Sequence, residues 1–174
     1  RPTRDRITQL RTATRWLFSH RSRAVEMSPV QIELRDTSFD PFQELFEHRK
    51  PFSKIGNHGA CSTFVGTMQH LNGGDRVLAM QLEHYSGMTE KQLEEIVGEA
   101  RKTHEILDGL LLHRIGNVYP GEDIVLVAVW STHRKDAFAA CREIMEALKS
   151  KAPFWKKETL VEGDRWVENN TPGV

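Results

Sequence analysis

Residues 124–130 read Ile-Val-Leu-Val-Ala-Val-Trp, seven apolar side chains in a row, and they constrain the fold more than any other stretch. A strand that shows one face to water alternates apolar and polar residues, whereas one without alternation is buried on both faces. The chain therefore carries an inner strand that needs cover above and below.

The remaining elements follow from local signals. Residues 30–34 alternate as a short strand, and Asp40-Pro41 opens a helix through Leu45 and Phe46, with aspartate at the N-cap and proline at the first helical position. Residues 50–59, polar and broken by Pro51, Gly56 and Gly59, form a loop. Residues 60–66 form a strand and Asn72-Gly73-Gly74-Asp75 a tight turn. Residues 77–85 form a half-buried strand paired with the one before, with Val77, Ala79, Gln81 and Glu83 set against Leu78, Met80 and Leu82. Thr89 and Gln92 make a capping box for a helix whose buried face holds Leu93, Ile96, Val97 and Ala100. Residues 110–115 form a strand and Tyr119-Pro120-Gly121-Glu122 a turn. A further helix over 136–149 buries Phe138, Cys141, Met145 and Leu148, and a hairpin of 159–161 and 165–167 follows. Strand pairs joined by tight turns, with helices in no strict βαβ rhythm, give an α+β fold.

A chain of 174 residues, 39% hydrophobic and 28% charged, suffices for one soluble domain with a proper core. A net charge of zero argues against a nucleic-acid binder, and no apolar run approaches a membrane span. Cys61 and Cys141, far apart, give neither a disulfide framework nor a CxxC pair and point to the cytoplasm. The zero hides an asymmetry: residues 1–27 carry seven arginines against Asp5 and Glu26, a net of +5, leaving −5 for the rest. This leader reads as sequence ahead of a start at Met27, with a disordered arm or a transit peptide as alternatives. Residues 28–174 are the folded domain.

The stretch that points to chemistry is residues 149–158, Lys-Ser-Lys-Ala-Pro-Phe-Trp-Lys-Lys-Glu, directly after the last helix. Pro153 stops the helix and turns the chain so that Lys149 and Lys156 converge, and Phe154 and Trp155 shield an ammonium from water. A desolvated lysine is a usable acid, base or nucleophile. The plainer reading of Lys149 is a helix-terminal cation favoured by the helix dipole. Lys151 and Lys157 are solvated. His133-Arg134 stands between the apolar strand and the helix, where Ser131 and Thr132 offer caps and free N–H groups suit an anion. Arg134 adds the bidentate fork that phosphates and carboxylates prefer. No HxxxH or Cys/His cluster suggests a metal. His84 and His113 read as structural strand residues and Cys141 as core. These residues alone support an anion-binding lysine site.

Six collinear blocks add more: Phe64-Val65-Gly66-Thr67, residues 82–90 (Leu-Glu-His-Tyr-Ser-Gly-Met-Thr-Glu), His113-Arg114-Ile115-Gly116 with Pro120-Gly121, Ser131-Thr132-His133-Arg134, residues 151–156 (Lys-Ala-Pro-Phe-Trp-Lys) and residues 163–167 (Gly-Asp-Arg-Trp-Val). In order and spacing the chain resembles the large, catalytic subunit of molybdopterin synthase. The resemblance implies an α/β-hammerhead-like core with an added small antiparallel subdomain, and sulfur transfer in molybdenum cofactor synthesis without a resident cofactor. The sulfur would arrive as a thiocarboxylate on the Gly-Gly tail of a small ubiquitin-like partner and pass to cyclic pyranopterin monophosphate. Two large subunits would form a central dimer with a small subunit at each end. Lys149 and Lys156 match the catalytic lysines, with Lys149 as acid/base nearest the thiocarboxylate and Lys156 holding the substrate or developing anion. His133, Arg134 and Arg165 match anion-binding positions.

The chain departs from the family pattern where an arginine is usual and Gln69 stands, followed by His70; an amide cannot replace a fork of charged donors. The tail after Glu168 is uncharged, where family members often carry basic residues. The alternatives are a weakened relative that binds the Gly-Gly tail without efficient turnover, and a lysine Schiff-base enzyme acting on a small carbonyl compound.

Overall fold

The computed structural model describes residues 30–52 and 56–167; the expectations for the leader and for the tail lie outside the described residues. A mixed four-stranded sheet runs in the order β1 (Gln31–Arg35), β5 (Asp108–Arg114), β7 (Asp123–Ser131) and β2 (Ala60–Thr67), with β1 and β5 parallel and the other pairs antiparallel. The apolar run lies in β7, whose last seven residues are all buried. Its alternate side chains serve two cores. Val125, Val127 and Val129 meet α2 (Met88–Thr103) and α3 (Arg134–Lys151) on one face. Leu126, Ala128 and Trp130 meet Phe52 and the inner side of α1 (Pro41–Arg49) on the other. His48 of α1 stacks on Trp130 at 5.2 Å and reaches Asp108 at 2.7 Å, which ties that helix to the sheet.

A second, antiparallel sheet orders β3 (Leu71–Asn72), β4 (Asp75–Glu83), β8 (Trp155–Leu160) and β9 (Gly163–Trp166), with β6 (Gly116–Val118) also on β4. Its own core is Met68, Val77, Met80, Leu82 and Val118. The fold is α+β, a helix-covered core sheet with a small antiparallel subdomain, as expected from the sequence.

Four local expectations need correction. First, the strand over 77–85 does not pair with β2: β2 lies on β7, and β4 pairs with β3, β6 and β8. A hairpin was inferred from adjacency in sequence, but the Asn72–Asp75 turn closes β3 onto β4 instead. Second, the alternation of β4 changes phase. Val77, Met80 and Leu82 are buried while Leu78 is 43% exposed, because the register with β8 shifts between Val77 and Ala79. Third, the capping residue of α2 is Glu90, whose carboxylate accepts the Gly87 N–H at 2.6 Å. Gly87 is the N-cap, with φ of 81°, a left-handed conformation that glycine adopts without strain. Thr89 is buried and its Oγ1 accepts the Tyr85 N–H.

The fourth correction concerns α3, which begins at Arg134 and buries Ala137, Ala140, Cys141, Ile144 and Leu148. Phe138 is 64% exposed. The two alanines let the helix settle closely on β2 and β7, so the buried face centres on small residues and Phe138 turns outward.

Candidate active site

The junction between the two sheets is a cavity of about 460 Å³, within the usual range for small-molecule sites. Its walls come from the end of β2 (Phe64, Gly66), the segment after it (Met68, Gln69), the last turns of α3 (Met145, Lys149) and the cavity-facing side of β8 (Lys156, Glu158).

Local sequence explains how the lysines arrive there. Ala152 ends α3 in an extended conformation, its N–H still donating to the Leu148 carbonyl, and Pro153 follows. The chain re-enters as β8, in which Lys156 and Glu158 share one face while Trp155, Lys157 and Thr159 take the other. Lys149 and Lys156 thus line the same cavity. Burial lowers the Lys156 pKa below the ordinary lysine value, the Lys149 charge lowers it further, and Glu158 partly opposes both.

The clasp divides its labour differently from the expectation. Phe154 turns inward and stacks flat on His113, with ring centroids 3.9 Å apart and planes within 6°. Trp155 is 56% exposed and lies edge-on to Trp166 on the outer face, so it does not shield the lysines.

Other expected residues scatter. Gln69 lines the cavity, whereas His70 is not among its walls and is exposed. Arg165 points its donors to Glu158 (2.9 Å), Asp75 (2.6 Å) and the Asn72 carbonyl (3.0 Å), so it braces Glu158 from behind. His133 is the N-cap of α3 with no side-chain cap; the Ser131 hydroxyl accepts its N–H at 3.4 Å. Both His133 and Arg134 are exposed. Arg134 and Lys149 are fifteen helical steps apart, about 22 Å at 1.5 Å per residue. Cys61 is exposed, is not among the cavity walls and has its thiol pKa raised above the ordinary value, so it is no activated nucleophile.

Two wall residues escaped the sequence reading. Glu158 is 5% exposed and is bonded to Asn72 (2.7 Å) and Arg165. It ends the quoted lysine stretch, and its position on the same strand face as Lys156 was the available clue. His113 is 7% exposed, and burial with the nearby Lys156 charge lowers its pKa to about 4. In the unfolded chain the ring titrates near 6.5. The folded state therefore binds fewer protons between those values, and stability is complete above about pH 6.5 and falls as pH drops toward 4, by roughly 3 kcal/mol. Urea melts from pH 7 to 4 are expected to show this loss in the native protein and not in His113→Phe.

Comparison with known proteins bears on the same residues. The family model described as "MoaE protein" matches residues 35–151. A molybdopterin synthase catalytic subunit of Ralstonia nicotianae is 47% identical over 137 residues, 79% of this chain and 76% of that protein. The one from Escherichia coli is 54% identical over 110 residues, 63% of this chain and 73% of that protein. Among solved structures, molybdopterin synthase from Staphylococcus aureus superposes with a TM-score of 0.70 at 28% identity, covering 82% of this chain and 100% of that one. A complex of subunits 1 and 2 of the molybdopterin-converting factor from Helicobacter pylori shares the fold, with a TM-score of 0.66 at 18% identity, covering 80% of this chain and 92% of that one. The chain belongs to the MoaE family, that of molybdopterin synthase catalytic subunits, which are sulfurtransferases.

Proposed function

We propose that the cavity between the sheets is the sulfur-transfer site of a molybdopterin synthase, taking a small partner's thiocarboxylate tail and cyclic pyranopterin monophosphate. The observation that carries this reading is the meeting of Lys149 and Lys156 in one cavity, with the Lys156 proton loosened by burial and by its neighbour's charge. Both reactants are anions, and two ammonium groups in a partly dry cavity attract them more strongly than exposed lysines would. The thiocarboxylate sulfur bonds to a side-chain carbon of the pterin as the oxygen held there leaves with a proton. Water then adds to the acyl carbon, the acyl C–S bond breaks, and the tail departs as a carboxylate with sulfur left on the pterin. Lys156 is the proton donor and acceptor, because burial and the neighbouring charge lower its pKa. The sequence reading gave that role to Lys149, which here stabilises the anion. Glu158, braced by Arg165 and Asn72, partly opposes that lowering of the Lys156 pKa. The partner's binding mode is supported by the cavity's apolar wall beside β2, where Phe64 and Met145 can enclose a glycine tail.

His133 and Arg134 cannot join this site within one copy, given the length of α3. The central dimer implied by the family resemblance offers a route. Arg134, Phe138, Arg142, Met145 and Lys149 recur at helical spacing and fall within one sector of α3. Antiparallel packing of two such stripes would set one copy's Arg134 beside the other's Lys149. Mixing Arg134→Ala with Lys149→Ala subunits then leaves one site per mixed dimer intact. About half of the native activity is expected in mixed dimers of two inactive parents. No recovery after demonstrated subunit exchange would remove the pair from the site.

The reading as a whole is tested by combining the protein with thiocarboxylated small subunit and cyclic pyranopterin monophosphate. Dithiolene product is expected. Tight binding of the partner without product would favour the weakened relative, for which Gln69 on the cavity wall, an amide where the family usually has arginine, is the supporting observation.

A further inference from the structure

His113 holds a place on the cavity wall that neither lysine explains. It is buried at the end of β5, and its Nδ1 lies 2.7 Å from the Arg114 carbonyl. A carbonyl only accepts, so Nδ1 carries the hydrogen and Nε2 is left as the ring's acceptor. The tautomer is thereby fixed. One face of the ring lies flat on Phe154. The charged groups around it are Lys149 from α3 and Lys156 and Glu158 from β8, all on the same cavity. The Arg114 guanidinium is directed elsewhere, to the Asn117 carbonyl and Glu122. A charged ring near the Lys156 ammonium would be repelled, whereas a neutral one packs there without that cost.

Phe154 sits between the end of α3 and the start of β8, two residues before Lys156. Apart from its N–H, which donates to the Ala152 carbonyl, the segment from Ala152 to Phe154 has few backbone bonds to hold it. We propose that His113 is a positioning residue of this site: its ring, oriented at the Arg114 carbonyl, holds Phe154 by stacking, and that stack fixes the segment joining α3 to β8 and so sets where Lys156 stands against Lys149. The proposal rests on the sulfur-transfer reading for its kinetic consequence and on geometry alone for its structural one.

The two rings of the stack can be removed separately. His113→Asn keeps an N–H where Nδ1 stands but has no ring, and Phe154→Leu removes the opposite ring. His113→Phe restores a ring without the imidazole. The ammonium of Lys156 is followed by NMR in lysine-labelled protein, its resonance identified by its absence from Lys156→Met, with the fold of each variant checked by circular dichroism. A released Lys156 moves toward water and away from Lys149. Its titration midpoint is therefore expected to rise toward that of an ordinary lysine in His113→Asn and in Phe154→Leu, and to stay low in His113→Phe. Turnover with thiocarboxylated partner should fall roughly 10- to 100-fold in the first two, the scale for a catalytic group displaced by about an ångström, with KM for the partner little changed. An unchanged midpoint in whichever of the first two variants folds overturns the clamp, and so does a His113→Phe protein that behaves like His113→Asn. If the native protein forms no dithiolene while the midpoint still responds, the sulfur-transfer reading fails and the clamp stands.

Discussion

Lys149→Ala and Lys156→Ala are each expected to lower dithiolene formation about 10²- to 10⁴-fold, the range for loss of one positioned acid, base or charge-stabilising group. The measurement is single-turnover reaction with thiocarboxylated partner, so that product release does not mask the step. Lys156 carries a second, opposite signature. Its pKa is lowered in the folded protein because the charged form is partly buried beside another cation. The folded state then holds its proton less tightly than the unfolded chain does. Below the lowered value, where both states are protonated, folding bears the cost of burying the charge, and stability recovers only as pH rises through that value. Lys156→Met, similar in length and uncharged, should therefore melt higher than the native protein at pH 7 while being inactive. Functional sites commonly cost stability in this way. A Lys156→Met protein that is both inactive and less stable would mean that the contacts of the ammonium outweigh the cost of burying it, and the mechanism assigned to it would lose its physical basis.

The legibility of these features in the sequence follows the range of the forces behind them. The central strand, the Asp40-Pro41 helix start and the buried face of α2 are set by hydrophobic runs, caps and periodicity within a few residues, and they stand where the sequence placed them. Partner choice is not local. The pairing of β4 with β8 joins segments some 75 positions apart, and nothing in either strand names the other. The phase change at Val77 depends on that same pairing, so it was equally hidden. At the site, Pro153 announced a turn, and the turn brings two lysines to one cavity. Which aromatic faces inward was decided by His113, a residue on a strand 41 positions earlier whose stacking on Phe154 leaves Trp155 outside. Arg134 was joined to the same site by the family match, although the helix expected between it and Lys149 already sets the two about 22 Å apart.

Ile144→Ala is expected to destabilise the protein by about 2–5 kcal/mol, and Phe138→Ala by no more than about 0.5 kcal/mol. Both residues lie on α3, and on size alone the phenylalanine would be the costlier loss. Exposure reverses the order: Ile144 is 1% exposed within the core formed with α2 and the central sheet, whereas Phe138 is 64% exposed. Truncating Ile144 removes apolar contacts and leaves a void that the neighbouring Ala140, Cys141 and Leu148 fill poorly, since α3 is already seated on small residues. The loss should reach the site as well. Leu148, one residue before Lys149, belongs to the same core and also lines the cavity, so a loosened α3 moves the ammonium it carries. Chemical denaturation of the two variants checks the energies, and single-turnover rates check the link: activity should fall in Ile144→Ala even where the protein remains folded. A large loss of stability in Phe138→Ala would require that side chain to be covered in solution, most simply by the second copy whose α3 stripe it faces in the proposed dimer. The same loss should then disappear when the protein is diluted to monomers.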